Sequence, residues 1–506
     1  MLIKISYLVK PACIGWLWCV LIAGCSSVKP PEPQPAPVET SDGYPASPTP
    51  AVSPQYSEYT VKLEIQPSER LVTGVERIKI INTTDRDLDR IFINASLNAF
   101  SEGAKVQPVF KEFMDKVYPD GVNYGYIEFS NVFVDGERVD FELTDTVLSV
   151  DLPEPVPPNE WTELKMELEA KIPLMNHRTG ADEESMWFGN FLPTLAVYDD
   201  EGWHTDPCYP AGDPFFRRAA NFSVSITAPW EYTVAGPGIP MTIEQDGKKT
   251  TEFTSKLARG FAFALSRRYT VESVMSPSNV EISLYTFSNS ARKAELLDLA
   301  SRGLEYFSGR IGSYPYSQLT IAETNLFNKG GMEYPGVIFI DSEYLAESDD
   351  FESVTHEIGH QWFYNIIGNN QIDNAWMDEG LDSFVQEGFL QNGSELDEKM
   401  QAEYADLESV ISQITPNTLN SGLGEFKSWA DYYNIHYLRG KLLFYSLYKK
   451  IGKTDFDSFL VEYNRRFTFR IAYPNDLIQT AEDVSGSDLG EFFNAWINDP
   501  ELPPLI

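Results

Sequence analysis

The stretch VTHEIGHQWF, residues 354–363, carries two of the chain's five histidines, four positions apart, with a glutamate beside the first. On a helix, positions i and i+4 project from one face about 40° apart and about one turn, roughly 5.4 Å, along the axis. His356 and His360 can therefore meet one ion at the zinc to nitrogen distance of about 2.0–2.1 Å. Glu357 lies one step round the helix, where it can reach a water on that ion without ligating. The alternative is a surface helix with two incidental imidazoles, and in a chain with so few histidines this spacing seldom arises by chance. A catalytic zinc needs a third protein ligand and one open position. NAWMDEGLDSF (374–384) supplies it: Glu379 follows His360 with eighteen residues between, room for one helix to finish at IIGNN (366–370) and a second to return antiparallel. The expected cofactor is one zinc ion per chain.

Outward from this motif the periodicity is helical. ARKAELLDLASRGLEYFSGRIG (291–312) places Leu296, Leu299, Ala300, Leu304 and Phe307 at helix spacing, and further helices are expected at 350–367, 378–391, 396–413, 433–450, 454–466 and 487–498. Residues 319–345 read as strand, glycine-rich turn, strand. Earlier in the chain the period is two: Val61, Leu63 and Ile65; Ile78 and Ile80; Phe222, Val224 and Ile226. The fold class expected is α+β multidomain, an N-terminal all-β sandwich or saddle (57–275) followed by a helix-rich domain with a small sheet (276–506).

The 506 residues carry a net charge of -36, which argues against nucleic acid and against a polybasic contact with anionic lipid. Residues 1–24 read as an export signal, with Lys4 and Lys10 before an apolar run that is too short to span a bilayer. Its ending, LIAGC (21–25), resembles a bacterial lipobox, which makes Cys25 the expected lipidation site. The rival is a secreted protein cut without lipid. Residues 25–56 form a proline-rich tether, since nine of the 25 residues from Pro30 to Pro54 are proline. Of the four cysteines only Cys208 remains in the folded part, as a small buried apolar residue. The expected location is the bacterial cell envelope, lipid-anchored to the outer membrane or the outer face of the cell membrane.

HEIGHQWFYNIIG with the later AWMDEGL resembles the gluzincin aminopeptidases, the family of aminopeptidase N and leukotriene hydrolase. The resemblance extends more weakly over residues 57–500. It implies a thermolysin-like catalytic domain, zinc on His356, His360 and Glu379, and Glu357 as general base. The exopeptidase signature of the family appears as GGMEYPG (330–336), which implies that Gly331, Met332 and Glu333 bind substrate and that Glu333 holds a free α-ammonium group. HYLRGKLLF (436–444) maps the family's catalytic tyrosine onto Tyr437. Three positions depart from the pattern: Tyr334 and Asp378 replace asparagine, and Arg439 replaces lysine. Tyr334 leaves the preferred first residue open; the other two are expected to cost little. The usual D-E-P tripeptide is missing from the β-rich half. The family's helical C-terminal domain has no counterpart before Ile506, so a more open cleft is expected.

The favoured expectation is an aminopeptidase acting on peptides with a free N-terminus. A thermolysin-like endopeptidase and a non-catalytic surface lipoprotein with a structural zinc are the alternatives. His204 and Asp206 in GWHTDPCYP (202–210) are read as a structural loop, not a second metal site.

Overall fold

Alternation decides the first half of the molecule. In the strand Glu58–Gln66 every second residue is buried, so Tyr59, Val61, Leu63 and Ile65 face the core while Lys62 and Glu64 face solvent. This strand lies inside an eight-stranded sheet, antiparallel to Leu71–Ile81 and parallel to Ala220–Pro229. Ile78, Ile80, Phe222, Val224 and Ile226 are buried with it. Two four-stranded sheets, one containing Leu88–Asn94 and the other Ser185–Phe188, and a two-stranded sheet of Val197–Asp199 and Gly202–His204 accompany it in the β-rich half.

The computed structural model describes residues 56–287, 292–348, 350–391 and 393–506. The export signal, Cys25 and the tether lie outside the described residues. Gln55–Ile506 is one compact unit. Among the described residues no helix is long and apolar enough to cross a membrane. Cys208 is buried and unpaired, and burial pushes its thiol up to about 11.

The second half is built on a five-stranded mixed sheet, in the order Thr270–Met275, Glu281–Thr286, Gln318–Thr324, Val337–Asp341, Gly331–Met332. Its three middle strands are parallel, and the helix Lys293–Ile311 makes the crossover between the first two of them. That helix buries Leu296, Ala300, Leu304 and Phe307 in one core with Val354 and Ile358 of the histidine helix Glu352–Gly359 and with Trp362 just beyond its end. The strand Thr270–Met275, inside the expected 57–275 β domain, hydrogen-bonds into this second sheet. The arrangement is α+β, an N-terminal β-rich region followed by a helix-rich region.

Three helical expectations change. The helix expected over 350–367 is Glu352–Gly359, and the chain beyond it turns tightly: Tyr364 has φ +103°, and its N–H donates to Ile367 O at 2.9 Å. The buried guanidinium of Arg259 donates to Asn365 O at 3.0 Å and Arg470 O at 2.6 Å, which holds the turned segment against the β-rich half. The helix expected over 433–450 consists of Trp429–Tyr432, a π-helical segment Tyr433–Arg439, and the α-helix Gly440–Ile451. A further helix, Pro474–Ser485, starts on a proline at its first turn and was not anticipated.

Candidate active site

His360 is the residue at which the helix Glu352–Gly359 ends, but its backbone is still helical (φ -62°, ψ -12°), so it keeps the face of His356. The two Nε2 atoms are 3.1 Å apart. Glu379 opens the returning helix Glu379–Leu390, and its Oε2 lies 3.1 Å from His360 Nε2 and 3.3 Å from His356 Nε2. Ligands on a tetrahedral zinc at about 2.0–2.1 Å would be about 3.3 Å from one another, which is the spacing of this triad. His360 Nδ1 lies 3.0 Å from Phe363 O, a contact that holds the proton on Nδ1 and leaves the Nε2 lone pair for an ion.

A second carboxylate, Asp382, also groups with the two histidines as a possible ligand. Its Oδ2 is 2.9 Å from His356 Nδ1 but 3.9 Å from His360 Nε2. It therefore bonds the His356 nitrogen that the triad does not use, and Glu379, nearer to both Nε2 atoms, is the better third ligand. The sequence signal for Asp382 was present but unread: three positions after Glu379 on a helix is the same face.

Electrostatics agree with a cation-binding pocket. Burial alone would lower His356, but Asp382 and Glu379 outweigh it and push the imidazole up to about 10. Burial would raise Glu379, yet the two imidazoles hold its carboxyl well below the carboxylate range. Burial pushes Glu357 well above that range. Glu357, 5% exposed, and Tyr437 line the same cavity of about 270 Å³ as the triad. Tyr437 donates its hydroxyl to Glu379 Oε1 at 2.6 Å, and burial followed by Glu379 keeps the phenol protonated. It reaches that place because the returning helix and the tyrosine helix meet at glycines: a Cβ on Gly380 would lie 2.7 Å from Gly440 Cα.

Gly331, Met332 and Glu333 form the facing wall. A side chain at Gly331 would collide with Glu357. Glu333 is buried, and burial followed by the carboxylate of Asp213 pushes it up to about 7. Asp213 and Arg178 come from the β-rich half and line the same cavity, paired at 2.8 Å. No motif marked either one.

The three departures now have positions. Tyr334 turns away from the cavity, its ring packed with Trp187 and Phe339 and its hydroxyl in a notch left open by Gly189. Asp378 accepts from Asn369 Nδ2 at 3.0 Å and Gln371 Nε2 at 2.7 Å, behind the triad. Arg439 faces the opposite way, donating to Trp496 O at 3.0 Å and Asp499 O at 2.6 Å at the end of the last helix. His436 is buried away from the triad, its Nε2 3.1 Å from Ser421 O. His204 has Asp199 2.8 Å from Nε2 and Asp206 4.0 Å from Nδ1, so the two carboxylates sit on opposite ring nitrogens and cannot share one ion with it.

Residues 296–496 match the Peptidase family M1 domain. Similar proteins include "Probable aminopeptidase 1" of Sulfurisphaera tokodaii, 24% identical over 83% of this chain and 54% of the relative. "Aminopeptidase 2, mitochondrial" of Saccharomyces cerevisiae is 23% identical over 62% of this chain and 35% of its own length. The chain spans about half the length, or less, of the curated relatives it matches. Among solved structures, the M1 zinc metallopeptidase of Deinococcus radiodurans superposes with a TM-score of 0.64 at 19% identity, covering 89% of this chain and 95% of that one. Its E323A mutant bound to a Tyr-Ser-Ala substrate gives 0.65 at 17% identity over the same shares. That likeness extends across both halves of the fold. Residues 296–496 thus carry a Peptidase family M1 domain, and the two-part fold of the Deinococcus radiodurans structure is shared over 89% of this chain.

Proposed function

We propose that this protein is a zinc aminopeptidase that releases the first residue from peptides with a free N-terminus. The observation that carries this reading is the buried carboxylate of Glu333 in the same cavity as the triad and Glu357. A carboxylate there can pair with an α-ammonium group and so fixes the cut one residue from the end. His356, His360 and Glu379 would hold the ion; when bound, zinc supplies Lewis acidity that makes water nucleophilic near neutral pH and polarises a carbonyl.

The remaining steps belong to the chain's own groups. Glu357 takes a proton from the attacking water and returns it to the leaving amine. Tyr437, protonated and aimed into the cavity, donates a hydrogen bond to the oxyanion that develops on the scissile carbonyl. Arg178 holds Asp213 in place beside the amine site, where its charge adds to that of Glu333.

The test compares one peptide with its N-terminus free and acetylated, using the full chain with and without a chelator. Fast cleavage of the free form and at most slow residual cleavage of the acetylated one, both lost with chelator and restored by zinc, are expected. Equal cleavage of both would make the enzyme an endopeptidase, and no cleavage of either would favour a structural metal.

The lipobox-like LIAGC supports a further proposal: acylation at Cys25, with residues 25–56 tethering the enzyme to an envelope membrane. Incorporation of labelled fatty acid that disappears in Cys25→Ala tests it. The domain limits 57–275 and 276–506 also remain a proposal, and the pairing of Thr270–Met275 favours a boundary just before Thr270.

A further inference from the structure

The two imidazoles of the triad are held from behind by different groups. His360 Nδ1 meets a backbone carbonyl, Phe363 O, whereas His356 Nδ1 meets a carboxylate, Asp382 Oδ2, at 2.9 Å. Asp382 is fully buried, and apart from this ion pair neither of its oxygens has a partner among the described residues. A carboxylate in that state is costly unless a cationic or strongly polarised N–H faces it. The fold makes room for it specifically. A Cβ at Gly359, on the histidine helix, would lie 1.7 Å from Asp382 Oδ1, so any other residue there would expel the carboxylate from its place behind His356.

We propose that Asp382 is a positioning residue for the metal centre. It holds the His356 proton on Nδ1, presents the Nε2 lone pair toward Glu379 and His360, and strengthens that nitrogen as a donor. The inference rests on the zinc reading above and adds to it a fourth side chain that is not a ligand. Two features separate it from ligation. The 3.9 Å to His360 Nε2 exceeds the roughly 3.3 Å between two ligands of a tetrahedral zinc, and the imidazole nitrogen within hydrogen-bond distance of Asp382 is His356 Nδ1, not either of the two that converge on Glu379.

The experiment measures zinc affinity of the full-length apoprotein by competition with a chromophoric chelator. The proteins compared are wild type, Asp382→Ala, Asp382→Asn, Glu379→Ala and Gln386→Ala. Gln386 lies one turn beyond Asp382 and joins the same two helices through Thr355 Oγ1 at 2.9 Å without touching an imidazole, so it controls for helix packing. Asp382→Ala is expected to weaken zinc about 10- to 100-fold. Asp382→Asn keeps the volume and an acceptor oxygen; it should fold even if the alanine variant does not, and should lose less. Glu379→Ala should lose far more than either, and Gln386→Ala should match wild type. The absorption spectrum of the cobalt-loaded protein should change in both Asp382 variants and not in Gln386→Ala.

Affinity within twofold of wild type in both Asp382 variants would overturn the proposal while leaving the zinc reading intact. So would a loss in Asp382→Ala as large as that in Glu379→Ala, which would make Asp382 a ligand. A wild-type protein that binds no zinc would instead overturn the proposed function itself.

Discussion

The two halves of this molecule bury charge in opposite ways. In the helix-rich half Glu333, Glu357, Asp378, Glu379 and Asp382, each at most 5% exposed, gather around His356 and His360 in one small region. In the β-rich half the strands keep their charges on the outer face, and the exception, Glu76, sits fully buried with no partner for either oxygen. Desolvating a carboxylate is expensive anywhere, so a cluster of five around two imidazoles is stable only where positive charge compensates it. Such a cluster points to a bound cation and to chemistry. A solitary buried carboxylate points only to a local cost in stability.

The comparison is broken most strongly by removing what gathers the charges. Glu379→Ala takes away one of three ligands, and both metal content and peptide hydrolysis should fall to background, measured by metal analysis and turnover on the same sample. Glu357→Gln should keep its zinc and still lose about 10³-fold or more in kcat, because an amide cannot accept the water's proton. Retained activity in that variant would remove Glu357 from the mechanism. Tyr437→Phe deletes one oxyanion donor, and about 10²- to 10³-fold in kcat with little change in zinc affinity is expected. Glu333→Gln sharpens the comparison differently: kcat/KM on a peptide with a free N-terminus should drop about 10²-fold, while the slow cleavage of its acetylated form is unaffected. Equal loss on both peptides would mean that Glu333 shapes the cavity without reading the amine.

How much of this was legible in the sequence follows from how local each signal is. His356, His360 and Glu379 were readable because helix geometry and an eighteen-residue return are short-range facts, and the strands because alternation records which face is buried. Arg178 and Asp213 were not readable, since they join the site only when the β-rich half packs against the helix-rich half, a contact that no local spacing encodes. Asp382 and Gly359 form a pair across two helices, each unremarkable until the other is placed. The turned segment after the histidine helix was hidden for the same reason, because the group that donates to Asn365 O is the side chain of Arg259, far away in the chain. The π-helical segment at Tyr433–Arg439 also escaped, as apolar spacing at the resolution of a sequence does not distinguish it from an α-helix.

The smallest effect tests the other side of the comparison. Burial pushes the Glu76 carboxyl well above its ordinary value, so the folded state binds a proton that the unfolded chain releases near pH 4.3. A folded value above the unfolded one means that stability falls as pH rises through the interval between them. Glu76→Gln carries no such proton, so it should match wild type near pH 4 and be the more stable protein at pH 7–8, by about 1–3 kcal/mol. Thermal unfolding of the pair at several pH values measures this, and hydrolysis should be unchanged, because Glu76 lies on a β strand whose neighbours are Val61 and Met166 and not the cavity. If the two proteins keep the same difference at every pH, then Glu76 is not an isolated acid. The β-rich half would in that case conceal a compensating partner, and solitary burial would no longer separate the scaffold from the site.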